Sequence, residues 1–206
     1  MNFYIDFDHT LFNTPLLTNN LLNTISNFVS LERNIENTII YNECKEKFNR
    51  KNIYNIYELA NFFCNKYSLD CNILRNKLDI VIANCKNFVF NDSISFLKKL
   101  KQNNHTLYML SYCEYGLEFQ TAKIAGSKLT DFFDSIIVTS KHKFELNINY
   151  SKGIFIDDKP SDLLGLLNSG AKKVIRIRRE NDTYSNQELD TEKIKEYSTL
   201  LDIPIN

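Results

Sequence analysis

Short apolar runs separated by longer segments of helical period dominate the pattern of hydrophobic positions along the chain. Five runs are rich in Ile, Val, Phe or Tyr and have the length of buried strands: residues 3–7, 106–110, 135–139, 153–156 and 173–177. The segments between the later runs repeat apolar residues on one side of a helix. Strands that alternate with helices predict an α/β fold with a doubly wound, mainly parallel sheet.

Helical spacing in the second half of the chain predicts four helices, over residues 92–102, 114–125, 161–169 and 191–201. Asp92 has the residue type expected at the N-cap of the first of these helices. Pro160 precedes the third helix, and Gly170 follows it as a C-cap. These signals set helices between and after the predicted strands.

Residues 14–87 have a different pattern from the rest of the chain. Their apolar positions recur at helical spacing, and no convincing strand interrupts them. We therefore predict that residues 1–13 and 88–206 form the sheet-containing core, and that residues 14–87 form an all-helical insertion between the first strand and the others.

Composition and charge narrow the range of partners. The chain has 206 residues, which suits one domain with an insertion, and its formal net charge is +0. This balance gives no indication of a nucleic-acid partner. The basic cluster at residues 176–179 follows an apolar run, and we interpret it as a solvated strand end.

Several sequence features predict a cytoplasmic protein. No apolar stretch approaches the length of a membrane span, and the first residues lack a positively charged leader. The 5 cysteines are widely spaced without a C-x-x-C pair, which argues against a zinc site or a disulfide framework. Cys113 lies near the candidate site described next, and we interpret it as a small buried hydrophobe in preference to a nucleophile.

Aspartates follow two of the predicted strands directly. Asp6 and Asp8 stand at the end of the first strand, and Asp157 and Asp158 stand at the end of the fourth. Ligands of an open parallel sheet bind outside the carboxyl ends of its strands. Acidic groups gathered there repel one another unless a cation neutralises them, and carboxylate oxygens favour magnesium over zinc. The sequence therefore predicts an Mg²⁺ site at this edge.

The spacing of the first two aspartates predicts separate chemical tasks. Asp6 can offer one carboxylate oxygen to the metal and the other as an attacking group. Asp8, one step farther along, can give a proton to a leaving oxygen and later take one from water. Dehalogenation needs only the first carboxylate, so the presence of Asp8 favours phosphoryl chemistry.

These residues resemble the motifs of the haloacid dehalogenase superfamily of phosphatases and phosphotransferases. The first motif, D-x-D-x-[T/V], matches residues 6–10, and the second, a Ser or Thr that ends a core strand, matches Ser111. The fourth, an acidic pair often followed by another Asp, matches Asp157-Asp158 and then Asp162. For the third motif, a Lys, we prefer Lys143 and leave Lys141 open.

The resemblance implies a Rossmann-like, three-layer core with an inserted helical cap of the C1 type, and it implies a role for each matching residue. Asp6 would attack phosphorus and form an aspartyl-phosphate, and Asp8 would act as general acid/base. Ser111 and Lys143 would bind and neutralise the phosphoryl group. The expected metal ligands are Asp6, Asp8 through its backbone carbonyl, Asp157 and Asp158.

The predicted function is magnesium-dependent hydrolysis of a small phosphorylated metabolite. The predicted substrate-binding residues are Thr10, Ser111, Tyr112 and Lys141, and substrate contacts are expected from the helical insertion, residues 9–14 and residues 112–116. Two alternatives stay open: a phosphotransferase or mutase that uses the same aspartyl-phosphate, and a non-catalytic binding protein that retains the fold. The chain has no G-x-x-x-x-G-K-[ST] motif and no G-x-G-x-x-G motif, which excludes a P-loop kinase and gives no support to a dinucleotide enzyme.

Overall fold

A computed structural model of the chain describes residues 1–49, 51–113, 116–180, 183–189 and 191–205. The chain divides into two compact units, one formed by Met1–Thr14 with Lys86–Asn206 and the other by Pro15–Cys85. We call them the α/β unit and the helical unit. In the part of the chain that the structure describes, no helix has both the length and the apolar character needed to cross a membrane.

The α/β unit is built on a six-stranded sheet in which every neighbouring pair of strands is parallel. Its strands are β1 (Asn2–Asp6), β2 (Thr106–Tyr112), β3 (Ser135–Thr139), β4 (Gly153–Asp157), β5 (Lys173–Ile177) and β6 (Ile194–Tyr197). Their order across the sheet is β3-β2-β1-β4-β5-β6. The predicted α/β class with a parallel sheet is confirmed, and five of the strands lie where the apolar runs placed them.

The helical unit consists of long helices joined by short turns. Its helices are α1 (Thr14–Arg33), α2 (Asn37–Lys47), α3 (Ile56–Tyr67) and α4 (Cys71–Ala83). Asn55 caps α3 by accepting hydrogen bonds from two backbone N–H groups of its first turn, and Asp70 caps α4 in the same way with one. Each helix buries its apolar side, as the periodicity indicates.

Three further helices belong to the α/β unit: α5 (Asn91–Gln102), α6 (Leu117–Ser127) and α7 (Pro160–Asn168). α5 packs against β2, α6 against β3, and α7 against β4 and β5. The helix predicted over residues 114–125 begins later and ends later than expected, and residues 114 and 115 lie outside the described residues. Gly170 follows α7 with a φ of 95°, a left-handed conformation that glycine adopts without strain.

The prediction that Asp92 caps α5 is wrong. Phe90 occupies the N-cap position, and the Asp92 carboxylate instead accepts two hydrogen bonds from the Arg179 guanidinium, at 2.7 and 2.9 Å. It also accepts from the Thr199 hydroxyl at 2.7 Å and from the Leu200 backbone N–H at 2.9 Å. A bidentate pair with a guanidinium is stronger than a cap hydrogen bond, so the carboxylate turns toward Arg179.

The prediction of a helix over residues 191–201 is also wrong. Strand β6 occupies the middle of this segment, and a short 3-10 turn follows at Leu200–Asp202. β6 pairs with β5, with Val174 opposite Ile194 and Ile177 opposite Tyr197. The free edge of β5 therefore determined the structure of this segment, because backbone pairing satisfies a whole row of donors and acceptors.

The basic cluster at residues 176–179 is not a solvated strand end. Arg176 is fully buried, and its guanidinium donates to the backbone carbonyls of Asp158 at 3.2 Å, Tyr184 at 2.6 Å and Gln187 at 2.6 Å. It also forms an ion pair with Glu196 at 3.0 Å. A buried guanidinium needs this many partners to offset its desolvation.

The sheet register brings the ends of β1, β2 and β4 side by side. Ile5 is opposite Ile156, so Asp6 and Asp157 follow as the next residues of adjacent strands. Asp6 is opposite Leu110 on the other side, and Ser111 comes next. Just below this edge, Tyr4 stacks on the rings of Tyr108 and Phe155, with centroids 4.7 and 4.8 Å apart.

Candidate active site

Three buried carboxylates meet at the ends of β1 and β4. One oxygen from each of Asp6, Asp157 and Asp158 lies within 4.8 Å of the others, and all three residues are buried. The parallel register explains this proximity, since it places both strand ends at the same edge of the sheet. The sequence prediction that these acids come together is thus met by the geometry.

Lys143 lies between two of the carboxylates. Its ammonium group donates to Asp6 Oδ1 at 2.5 Å and to Asp157 Oδ2 at 2.6 Å, and the side chain is buried. Lys143 opens a 3-10 turn that packs against α7. Burial lowers the pKa of Lys143, but Asp157, Asp6 and Asp162 outweigh this effect and raise it overall, so the ammonium stays charged.

Asp6 has an unusual electrostatic environment. Burial raises the pKa of this carboxyl group to about 7, and the Asp157 and Asp8 carboxylates act in the same direction against the Lys143 ammonium. The carboxyl group is only 5% exposed. Asp6 Oδ1 is held by Lys143, whereas Asp6 Oδ2 is buried without a hydrogen-bond partner. A buried carboxylate oxygen in that condition is costly unless a ligand contacts it.

The donor set suits a hard divalent cation. Three carboxylates and one ammonium meet at this edge, and Asp6 Oδ2 is buried without a hydrogen-bond partner. Oxygen ligands without thiols or imidazoles are those that Mg²⁺ prefers. Asp6, Asp157 and Asp158 are the side chains that would hold such an ion.

Asp8 lies in a different environment from Asp6. Its Oδ1 accepts from the Lys123 ammonium at 2.6 Å and from the Thr14 hydroxyl, and its Oδ2 accepts from the Gln120 amide at 2.6 Å. Burial raises the pKa of Asp8, but Lys123 and then Thr14 and Gln120 outweigh it, so that the pKa lies below its usual value. The Asp8 carboxylate is therefore held on the side of α6, and its predicted metal contact through the backbone carbonyl stays a prediction.

Ser111 is the second-to-last residue of β2 and belongs to the same hydrogen-bond network. Its hydroxyl oxygen accepts from Gln120 Nε2 at 2.6 Å, and the residue is fully buried. Gln120 thus links Ser111 to Asp8 through a single amide nitrogen.

The structure separates the two candidate lysines clearly. Lys143 reaches the acidic cluster, whereas Lys141 is exposed, with its backbone N–H bound to the Thr139 hydroxyl at 3.0 Å. The geometry therefore favours Lys143 as the third-motif lysine. A substrate contact by Lys141 stays a prediction.

The other predicted substrate-binding residues, Thr10 and Tyr112, have separate surroundings. Thr10 is buried, and its hydroxyl has no hydrogen-bond partner among the described residues. Tyr112 stacks on the His142 ring with centroids 5.4 Å apart. His142 in turn lies 3.3 Å from the buried Asp162 carboxylate. The rest of the predicted substrate region includes residues 114 and 115, which lie outside the described residues.

Sequence reasoning missed three polar residues of the site: Thr14, Gln120 and Lys123. The Thr14 hydroxyl donates to Asp8 Oδ1. A signal for the other two exists in the sequence, because Gln120, Lys123 and Ile124 fall at i, i+3 and i+4 on the buried side of α6. Polar residues at core-facing positions indicate a function or a buried partner.

Comparisons with known proteins identify solved structures that share this fold. No family model matches the chain, and no curated protein matches it. Among solved structures, a haloacid dehalogenase (HAD) phosphatase from Thermococcus onnurineus is 19% identical with a TM-score of 0.64, covering 98% of this chain and 95% of its own. A protein from Burkholderia xenovorans assigned as a haloacid dehalogenase-like hydrolase is 17% identical with a TM-score of 0.68, covering 98% and 93%.

A third solved structure is an L-2-haloacid dehalogenase from Xanthobacter autotrophicus, 15% identical with a TM-score of 0.52, covering 89% of this chain and 79% of its own. The chain therefore has the fold of the haloacid dehalogenase superfamily of hydrolases, and the predicted resemblance is confirmed at the level of the fold. The similar structures include both phosphatases and dehalogenases, so the fold does not distinguish these two chemistries.

Proposed function

We propose that the chain is a phosphohydrolase that cleaves a small phosphate monoester with the help of Mg²⁺. One observation supports this proposal above the others. The Asp6, Asp157 and Asp158 carboxylates converge with Lys143 at one sheet edge, and Asp6 keeps a buried oxygen without a partner. Phosphoryl transfer requires mainly positioning and neutralisation of spread negative charge, and this arrangement offers both.

The proposed reaction begins at Asp6. Its free carboxylate oxygen attacks phosphorus, an O–P bond to Asp6 forms, and the ester P–O bond breaks. Asp8, which must be protonated when the ester is bound, gives that proton to the departing oxygen, and it then takes one from the water that attacks the aspartyl-phosphate. Inorganic phosphate leaves, and both aspartates return to their first state. A bound Mg²⁺ would supply positive charge opposite the phosphoryl oxygens.

Lys143 and Ser111 complete the proposed phosphoryl pocket. The Lys143 ammonium is buried beside the attacking residue, where it offsets charge on both Asp6 and the phosphoryl group. Ser111 supplies a hydroxyl to a phosphoryl oxygen. In the same proposal the helical unit serves as the cap, and a cytoplasmic metabolite is the substrate.

Asp8 favours phosphoryl transfer over dehalogenation. A halide ion leaves without a proton, whereas an alkoxide leaving group needs one, and Asp8 stands two residues beyond the nucleophile to provide it. A phosphotransferase or mutase that hands the same aspartyl-phosphate to another hydroxyl is the second candidate. It rests on the same residues, since only the final acceptor differs.

A phosphate-release screen over a panel of phosphorylated metabolites tests the proposal. We expect Mg²⁺-dependent release of inorganic phosphate from at least one ester. Asp6→Asn should lower turnover by about 10³-fold or more, because the amide is not a nucleophile. Transfer of phosphate to an added alcohol or sugar, without release into water, would identify the phosphotransferase instead.

The Asp6→Asn protein serves as its own control for folding. Its circular dichroism spectrum should match that of the wild type, so that lost turnover reports chemistry. Retention of wild-type turnover by Asp6→Asn would remove Asp6 as nucleophile. Release of halide from 2-haloacids, with no phosphate released from any ester, would replace the proposal with dehalogenation.

A further inference from the structure

We propose that Gln120 and Lys123, one turn apart on α6, are positioning residues that together fix Asp8 and Ser111 for the reaction. The proposal rests on the proposed function and adds two residues to its site. It depends on a continuous line of contacts from Lys123 through Asp8 and Gln120 to Ser111, each 2.6 Å long.

The backbone alone does not fix the direction of Asp8. β1 ends at Asp6, so Asp8 lies in the loop beyond the strand. Lys123 and Thr14 donate to one carboxylate oxygen and Gln120 to the other. Donors on both oxygens restrict rotation of a carboxylate, whereas one donor leaves it free to swing. The two α6 residues, together with Thr14, therefore determine where the Asp8 carboxylate points.

Gln120 also determines the role of the Ser111 hydroxyl. The atom next to the Asp8 carboxylate must be the amide nitrogen of Gln120, because a carboxylate only accepts hydrogen bonds. The same nitrogen contacts Ser111 Oγ, which must then accept as well. The hydroxyl hydrogen of Ser111 is left to donate elsewhere. Gln120 thus prepares Ser111 as a donor, which is the role that a phosphoryl oxygen requires.

Burial of the Lys123 ammonium group has a desolvation cost, so the partners of this group indicate its role. Its side chain is 4% exposed, and its ammonium lies over the rings of Phe7 and Phe12, 5.6 and 5.7 Å from their centroids. A buried lysine is unfavourable unless its charge is matched, and Asp8 is the ion-pair partner that the structure shows. A buried lysine that forms an ion pair with the Asp8 carboxylate is consistent with a role in positioning that carboxylate.

The leaving group of the substrate provides a test that a purely structural role would not affect. p-Nitrophenolate leaves readily without a proton, whereas an alkoxide needs one from Asp8. We expect Lys123→Met to lower kcat/KM about 100-fold for an alkyl phosphate and only about fivefold for p-nitrophenyl phosphate, within the range of a general-acid contribution. Lys123→Arg should recover part of the loss, because it restores a cation.

A double-mutant cycle tests the link to Ser111. Gln120→Leu and Ser111→Ala should each lower kcat/KM for p-nitrophenyl phosphate, and the double variant should lose little more than the worse single variant. Such non-additivity is expected when one residue acts through the other. Lys98→Met, which removes an exposed lysine from α5, is the matched control and should keep wild-type values for both esters.

Each outcome decides the proposal. Equal losses for both esters in Lys123→Met, or fully additive losses in the Gln120 cycle, would overturn it. If the wild type releases phosphate from no ester of the metabolite panel, the proposed function fails, and a crystal structure of Lys123→Met then tests positioning alone. The Asp8 carboxylate should leave its wild-type orientation in that structure, and an unchanged orientation would refute the positioning role.

Discussion

Two carboxylates separated by one residue lie in opposite surroundings. Around Asp6, two further carboxylates and one ammonium leave an excess of negative charge, and burial raises the Asp6 pKa to about 7. Around Asp8, the chain supplies its own cation, Lys123, and the pKa of Asp8 lies below its usual value because that cation and its neighbours outweigh burial.

The difference shows how one strand end can serve two tasks. The carboxylates around Asp6 outnumber the ammonium groups, whereas the Asp8 carboxylate is already paired with Lys123. A bound Mg²⁺ would favour the ionised form of Asp6, which attack requires. In the proposed function, the Asp6 region binds the metal and attacks, and the Asp8 region transfers protons.

We expect the largest effect in the kinetics of variants of the two candidate lysines of the third motif, Lys143 and Lys141. Lys143→Met removes the ammonium from Asp6 and Asp157, and we expect kcat to fall about 10³-fold, as for loss of a transition-state donor. Lys141→Met should change KM alone, by a few-fold, because this exposed residue is predicted only to contact substrate.

Steady-state kinetics with the best ester from the screen measures both lysine variants. Lys152→Met, at an exposed lysine before β4, controls for the loss of one positive charge. A large fall in kcat for Lys141→Met, with Lys143→Met near the wild type, would reverse the assignment of the third motif.

A smaller effect should appear in stability as a function of pH. The folded-state pKa of Asp6 is raised from 3.8 to about 7, so the folded protein binds this proton more tightly than the unfolded chain does. Its contribution to stability is therefore present at low pH and is lost as pH rises through about 7. Above that pH, the ionised Asp6 destabilises the metal-free fold.

Asp6→Asn should accordingly raise the melting temperature of the metal-free protein at pH 8 by about 5 °C, and by less at pH 5. Differential scanning calorimetry in the presence of a chelator measures both values. Asp8→Asn provides the contrast, since it leaves Lys123 buried without its charged partner and should lower stability at both pH values. A gain from Asp6→Asn that is equal at both pH values would contradict the raised pKa.

The sequence was sufficient to predict those helices and strands whose structure depends mainly on their own residues. Runs of β-forming residues predicted the first and last residues of β3 and β5, and the parallel sheet then explains why the acids after β1 and β4 meet. The 194–197 segment could not be predicted in this way. Its helical spacing was overridden by the free edge of β5, which is a property of the assembled sheet.

Without the family resemblance, which supplied Lys143, the site was predictable only where its residues sit at strand ends. Asp6, Asp157 and Asp158 have positions fixed by the register, and their convergence followed from it. Gln120 and Lys123 lie on one face of α6, and their partners depend on how this helix packs. Local sequence patterns do not determine that packing. The same holds for Arg179, whose guanidinium donates to the Thr10 carbonyl at 2.8 Å across the fold.

Calorimetric titration with Mg²⁺ tests the central claim most directly, because it measures whether the acids of two strand ends share a divalent ion. The wild type should bind Mg²⁺ at one site, and Asp158→Ala should weaken that binding about tenfold or more, since it removes a charged oxygen ligand. Asp8→Asn, which keeps its backbone carbonyl, should bind within about threefold of the wild type. Unchanged affinity in Asp158→Ala, or no Mg²⁺ binding by the wild type, would contradict the shared site.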